Sequence, residues 1–205
     1  MNRSAAFLAS IATTICLSSA AFARGDSVVA QTTFDTDLGG WTTNTPSDVQ
    51  WNSSGGNPGG EALFTDLTSG VGTIMIAPSS FLSPAVNFTK LNGKGYISYQ
   101  HLMVKETGVQ AIGNYNIVMS GPGGTATFTG AVAIVLNRNN KWTTVVAPLV
   151  EADWVMSSGT WTDLLANVTS IEIPMEMVSN EGGSTDKEAM DNIEIVSHPS
   201  GFSPL

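Results

Sequence analysis

Cysteine is almost missing from this 205-residue chain: Cys16 is the only one. It lies in the apolar stretch at the N-terminus, so everything beyond that stretch lacks disulfides and thiolate chemistry. Two histidines, His101 and His198, stand far apart in sequence. Zinc, which takes clustered Cys or His, is thereby excluded. No Gly-x-Ser-x-Gly elbow is present to support a serine triad, and no lysine follows Gly121-Pro122-Gly123-Gly124 to make it a phosphate loop. Charge is sparse too: 12% of residues are charged, and 17 acidic residues against 8 basic ones leave a net charge of −9. That balance excludes a nucleic-acid partner, whose phosphates call for basic patches. It equally disfavours attraction to anionic lipid. Beyond the N-terminus no apolar run approaches the roughly 18 residues of a membrane span.

What is present at the N-terminus reads as a secretory signal peptide over residues 1–23. Arg3 supplies the positive start, residues 5–17 the apolar run, and Ala21-Phe22-Ala23 a small-x-small cleavage site. Secretion, to the periplasm or the extracellular space, is the expected localisation. The remainder is long enough to bury a sizeable core without disulfides, and its length fits one domain. The expected organisation is a lead-in strand over 24–33, a β-sandwich over 34–197 and a tail over 198–205.

Period-2 alternation dominates that remainder. Ile171, Ile173, Met175 and Met177 alternate with Ser170, Glu172, Pro174 and Glu176, as on a half-buried strand. Ile97, Tyr99, His101 and Met103 likewise share one face of a strand over 96–104. Further strands are expected at 28–34, 49–52, 61–65, 72–77, 114–120, 125–136, 142–147 and 189–196. Glycine-rich segments at 54–60, 121–124 and 181–183 punctuate them. Many short strands at this spacing indicate an all-β jelly-roll sandwich. One short helix is expected, because Trp161, Leu164, Leu165 and Val168 fall at helical spacing behind Thr160 as N-cap.

Two acidic segments sit at opposite ends of this pattern: Asp35 and Asp37 in 34–41, and Asp191 in 190–195. If the first and last strands are neighbours, these carboxylates meet. Such a pocket suits Ca²⁺, which takes six to eight oxygen ligands in flexible geometry. Asp35, Asp37 and Asp191 are the leading candidates for a structural calcium site. Asn57, Glu61 and Asp66 are further oxygen donors from the glycine-rich region. The competing reading makes Asp35 and Asp37 simple turn formers.

The order of landmarks resembles the laminin B (domain IV) type module found in bacterial secreted proteins. They run from Phe34-Asp-x-Asp-x-x-Gly-Trp41 through Trp51-x-Ser-x-Gly-Gly-Asn-Pro-Gly-Gly60, Asp66, and Ile76-Ala-Pro-Ser-x-Phe81 to Ile117-Val-Met-Ser-Gly-x-Gly-Gly124. Trp142, Trp154, the leucine-rich helix, Ile171-Glu-Ile173 and Asp191-Asn192 complete the series. The resemblance spans about residues 34–196. It implies a jelly roll similar to galactose-binding-like carbohydrate modules, in which an N-terminal acid and a C-terminal Asp share a structural calcium. The disulfide-rich repeats that flank this module in laminins are absent. An arginine often seen in the family's penultimate strand is Pro174 here.

Three functional classes then compete. A non-catalytic recognition module would bind extracellular polysaccharide or matrix protein through aromatic faces beside planar polar groups. Trp51, Tyr99 and His101 are the expected ligand-binding residues, with Trp41 and Trp154 as further aromatic candidates and Gln100 or Asn116 as polar partners. A secreted jelly-roll glycoside hydrolase would use Glu172 and Glu176, but four strand residues separate carboxylates by about 13 Å, against the roughly 5–9.5 Å that glycosidases need. These two glutamates read instead as solvated groups on the outer face. A purely structural or adhesive domain is the third class. Residue chemistry favours the first, and no catalytic residue is assigned.

Overall fold

The computed structural model describes residues 25–67, 72–82, 86–105, 111–112, 116–128, 140–179 and 187–199. The expected signal peptide, most of the tail, residues 114–115, and the 129–136 half of one expected strand lie outside these residues.

Two antiparallel sheets carry the chain. The first has the order β10 (Thr143–Pro148), β6 (Gly95–Lys105), β14 (Lys187–Ser197), β4 (Gly59–Thr65), β3 (Val49–Gly56), with β1 (Ser27–Thr32) also on β14. The second runs β11 (Trp154–Gly159), β9 (Gly124–Phe128), β8 (Ile117–Gly121), β12 (Ser170–Pro174), β5 (Ile74–Ile76), β2 (Thr42–Thr43). A small two-stranded pair, β7 (Ala111–Ile112) and β13 (Val178–Ser179), stands apart. This is the jelly-roll sandwich expected from the strand pattern.

The 11-residue strand β14 organises the first sheet. β6 takes one of its edges along nearly the whole length, from Lys187 to Ser197. A strand has only two edges, so the other must be shared. Lys187–Met190 pairs with Thr65–Ala62 of β4, and Ile193–Ser197 pairs with Thr32–Ser27 of β1. The two neighbours hand over at Asp191-Asn192. There the register against β6 shifts and Asn192 adopts a φ of +49°, the signature of a bulge. The first and last strands are therefore side by side, as the sequence required for its acidic ends to meet.

Alternation sorts the side chains. Ile97, Tyr99, His101 and Met103 of β6 point inward, as do Ala62 and Phe64 of β4 and Ile193 and Ile195 of β14. Ile117, Met119, Ile171 and Ile173 face them from the second sheet. Burial at this scale is worth about 25 cal/mol per Å² of apolar surface, which explains why no disulfide is needed. Among the described residues three short α-helices close the structure: α1 (Ser79–Leu82), α2 (Phe88–Leu91) and α3 (Trp161–Ala166). α3 begins where expected, because Thr160 Oγ1 accepts the Asp163 N–H at 3.2 Å and so satisfies one of the free first-turn donors. It buries Trp161, Leu164 and Leu165, and Trp161 lies 5.8 Å from Trp154, which in turn stands 5.5 Å from Phe128. Among the described residues no helix is long and apolar enough to cross a membrane.

The hydrolase pair is not laid out as expected. Glu172 lies on the outer side of β12, but Glu176 is buried and its Oε2 accepts the Thr73 N–H at 3.0 Å. The strand ends at Pro174, so Glu176 no longer follows its alternation.

Candidate functional site at the strand handover

Three segments converge where β14 changes partner. The first is the turn after β1. Phe34 sits buried at φ +51°, and its carbonyl accepts Trp51 Nε1–H at 2.7 Å. Asp35 follows, with Oδ2 accepting the Thr33 hydroxyl at 2.7 Å. The second is the β3–β4 hairpin, whose tip holds glycine at 55, 56, 59 and 60 around a cis Asn57–Pro58 peptide. The third is the bulge at Asp191-Asn192.

The glycines explain how the carboxylates fit. A Cβ on Gly56 would stand 2.9 Å from Asp191 Oδ2, and one on Gly55 2.5 Å from Glu61 Oε1. A Cβ on Gly59 would overlap Asp35 Oδ1, and one on Gly60 the Phe34 carbonyl. The hairpin is thus a cradle whose missing side chains make room for three acids. Glycine is required on steric grounds, whatever backbone angles each position adopts.

Asp191 is the centre of the arrangement and is 0% exposed. Its Oδ2 accepts the Asn57 N–H at 2.6 Å and Asn192 Nδ2 at 3.1 Å, while Oδ1 accepts the Asn192 N–H at 2.7 Å. Burial pushes its carboxyl up to about 6, the hydrogen bonds from Asn57 and Asn192 oppose this, and the charges of Asp35 and Glu61 add to it. Glu61 is buried as well. It accepts Asn52 Nδ2 at 2.7 Å, and desolvation raises its carboxyl against that bond. Carboxamides complete the surround. Gln100 Oε1 accepts Asn57 Nδ2 at 3.0 Å and Asn192 Nδ2 at 3.1 Å, and the Asn57 carbonyl accepts Asn192 Nδ2 at 2.6 Å. Among the described residues no lysine, arginine or histidine pairs with Asp35, Glu61 or Asp191. All their donors are neutral, so the negative charge is solvated by dipoles but not cancelled.

The expected metal ligands divide on this geometry. Asp35 and Asp191 are brought together, and Glu61 joins them. Asn57 is present, although its main-chain N–H and its Nδ2 serve here as donors. Asp37 stands outside: its Oδ1 accepts the Gly39 N–H at 2.5 Å, the turn-forming role that competed with ligation. Asp66 follows the far end of β4, five residues beyond Glu61 and roughly 16 Å away along an extended strand. Among the described residues no three acidic, histidine or cysteine side chains form a ready metal cluster. The carboxylates alone do not make a metal site here; main-chain and amide oxygens would have to complete one.

The expected ligand platform is corrected in two of its three members. Tyr99 and His101 are 0% and 1% exposed and face the core, where no glycan reaches their rings. His101 Nε2 lies 2.7 Å from Glu188 Oε2 and 3.2 Å from the Met175 carbonyl, a buried polar knot inside the sandwich. Trp41 and Trp154 are buried too. Trp51 is different. It is 40% exposed, on the edge strand β3, and its indole N–H is anchored one residue from Asp35. Gln100, expected only as a polar partner of the aromatic platform, lies here instead, and Asn192 was not expected at the site. Their only sequence signal is a polar residue on a strand, which the outward half of every strand also shows.

No family model matches this chain, and no curated protein matches it by sequence. Solved structures do match. The L4b domain of human laminin alpha-2 aligns with a TM-score of 0.50 at 12% identity, over 82% of this chain and 98% of that one. The C-terminal family 22 carbohydrate-binding module of Clostridium thermocellum Xyn10B aligns at 0.46 and 10% identity, covering 85% and 97%. The mannan-recognising module TmCBM27 aligns at 0.46 and 12%, covering 84% and 98%. At the level of the fold, the chain shares the jelly roll of the laminin IV-type domain.

Proposed function

We propose that this chain is a secreted, non-catalytic recognition module that binds extracellular carbohydrate and is stabilised by a structural calcium ion. One observation carries the reading: at the handover from β4 to β1, three uncancelled carboxylates, a set of carboxamides and one exposed indole converge. Oxygen-only donors with flexible surroundings are the environment of Ca²⁺, not of zinc or copper. Asp35 and Asp191, with Glu61 behind them, are the residues that would hold it. A bound dication cancels charge that the neutral donors leave standing, and so ties the first strand to the last. Its contribution is to stability, with no part in a reaction.

The recognition half rests on chemistry of the same place. Sugar rings present C–H patches beside hydroxyls, so a flat indole next to carboxylate and amide groups offers both kinds of contact. Trp51 beside Asp35 is such a pairing. Glu176, the one candidate acid of the hydrolase reading that is buried, is committed to holding the Thr73 main chain, which favours binding over hydrolysis.

The test has two arms. Thermal melts with and without chelator should differ, with the chelated protein less stable, and Asp191→Ala should remove the difference. Identical melts sink the calcium half. A glycan array probed with the purified protein should return a polysaccharide ligand, and silence across it sinks the carbohydrate half.

A further inference from the structure

A cleft of about 500 Å³ opens between the 31–39 segment and the turn that starts α1, at Pro78, Ser80 and Phe81. Its volume lies within the range of small-molecule sites, about 300–1,000 Å³. Asp35 lines it, so it adjoins the carboxylate cradle. Asp37, which the cradle does not use, lines it too. Resting on the carbohydrate reading above, we propose that this cleft is the sugar-binding site, and that it takes a neutral or amine-bearing sugar residue while excluding uronates.

The lining supplies the contacts that a pyranose demands. Asp35 holds Thr33 through Oδ2, and Asp37 holds Gly39 through Oδ1. Asp35 Oδ1 turns toward Gly59 in the cradle, whereas the second oxygen of Asp37 and the hydroxyls of Thr36 and Ser80 have no partner among the described residues. Three exposed polar groups thus line the cleft with capacity to spare. Carboxylate oxygens accept from sugar hydroxyls in charge-assisted bonds, which are stronger than neutral ones. The floor is apolar and fixed. Phe81 packs edge-on to Trp41 with centroids 5.1 Å apart, Trp41 Nε1 donates to Thr32 Oγ1 at 3.1 Å, and Pro78 stands beside Phe81 on the lining. A rigid apolar floor receives the C–H face of a ring. Among the described residues no lysine, arginine or histidine lines the cleft. A uronate, sulfate or phosphate would meet the Asp37 carboxylate, which the cradle ion does not cancel, and like charge at contact distance is repulsive. A protonated amino sugar gains from the same field.

The experiment is calorimetry with the purified protein against xylo-, manno- and cello-oligosaccharides, glucosamine oligosaccharides and oligogalacturonates of equal length. Thr36→Trp and Ser80→Trp fill the cleft from two exposed positions, and Thr144→Trp on the exposed side of β10 is the control. The expected result is binding of a neutral or amino oligosaccharide, at least tenfold tighter than the galacturonate. Each cleft variant should weaken it tenfold or more with an unchanged melting temperature, and the control should leave it intact. Binding untouched by both cleft variants overturns this site while leaving carbohydrate recognition standing. Equal or tighter binding of galacturonate overturns the charge selectivity. Absence of binding across the whole panel overturns the site together with the reading on which it rests.

Discussion

Asn57 donates its main-chain N–H to Asp191 Oδ2 at 2.6 Å, a bond between positions 134 residues apart in the chain. It fastens the tip of the β3–β4 hairpin to the bulge in β14. Everything assigned to the cradle depends on that fastening, because it keeps a fully buried carboxylate close to two others.

The first prediction concerns pH. The Asp191 carboxyl is raised from 3.8 to about 6 by burial, with Asp35 and Glu61 adding to the shift. The folded protein therefore holds this proton more tightly than the unfolded chain does. That preference is fully present below about pH 3.8 and is lost as pH rises through about 6; its ceiling is about 3 kcal/mol. With chelator present, the melting temperature should fall between pH 4 and pH 7. Glu61 and Glu194, also raised by burial, push the same way, so Asp191→Asn should flatten the slope in part. Calcium should restore stability at pH 7 and do little at pH 4. A melting temperature that rises over this window would contradict the assignment.

The second concerns the glycine cradle. In Gly60→Ala the new Cβ would overlap the Phe34 carbonyl and approach Asn52 O and Trp51 Nε1, each at 3.0 Å. The turn carrying Asp35 must then move. Overpacking of this kind costs about 1–3 kcal/mol. Urea denaturation should show that loss, and the calcium-dependent gain in melting temperature should shrink with it. Full retention of both would mean that the cradle is looser than the structure has it.

How far the sequence foretold this arrangement varies by level. Strand faces were legible where the strand holds, because alternation is local: Ile171 and Ile173 are buried between half-buried Ser170 and Glu172. From Pro174 to Met177 every residue is buried and the alternation is lost. The pairing of β1 with β14 followed only from placing acids at both ends, since period 2 reports a face and never a neighbour. Tyr99 and His101 were assigned to the ligand although Ile97 and Met103 share their face. Two aliphatic neighbours should have decided the direction, and a polar tip inside a core is tolerated when it finds a partner, as His101 does in Glu188. Asp66 was misplaced because closeness in sequence to Glu61 is undone by an extended strand. The helices at 79–82 and 88–91 are too short to show a 3.6-residue period at all.

The third prediction contrasts two neighbours on β6. Tyr99 Oη is buried without a hydrogen-bond partner among the described residues. An unsatisfied hydroxyl is a liability, so Tyr99→Phe should leave stability unchanged or raise it by about 1 kcal/mol. His101→Leu removes the donor that sits 2.7 Å from Glu188 and should cost about 1–3 kcal/mol. Equilibrium unfolding of the two variants checks the contrast. A destabilised Tyr99→Phe would mean that its hydroxyl has a partner after all.

The fourth prediction separates the tryptophans. Trp154 is buried, donates to the Pro148 carbonyl at 2.7 Å and packs between Phe128 and Trp161. Trp154→Ala should cost about 3–5 kcal/mol, as large aromatic truncations in cores do. Trp51 keeps 40% of its surface in water, so Trp51→Ala should cost far less, chiefly the bond to the Phe34 carbonyl, about 1 kcal/mol. The exposed indole should dominate acrylamide quenching of the native protein, and a saturating oligosaccharide should protect it. Trp51→Phe should abolish the protected component and weaken glycan binding while the melt stays close to the parent. If the oligosaccharide shields no tryptophan, Trp51 leaves the recognition surface and the cleft beside Asp35 must bind without it.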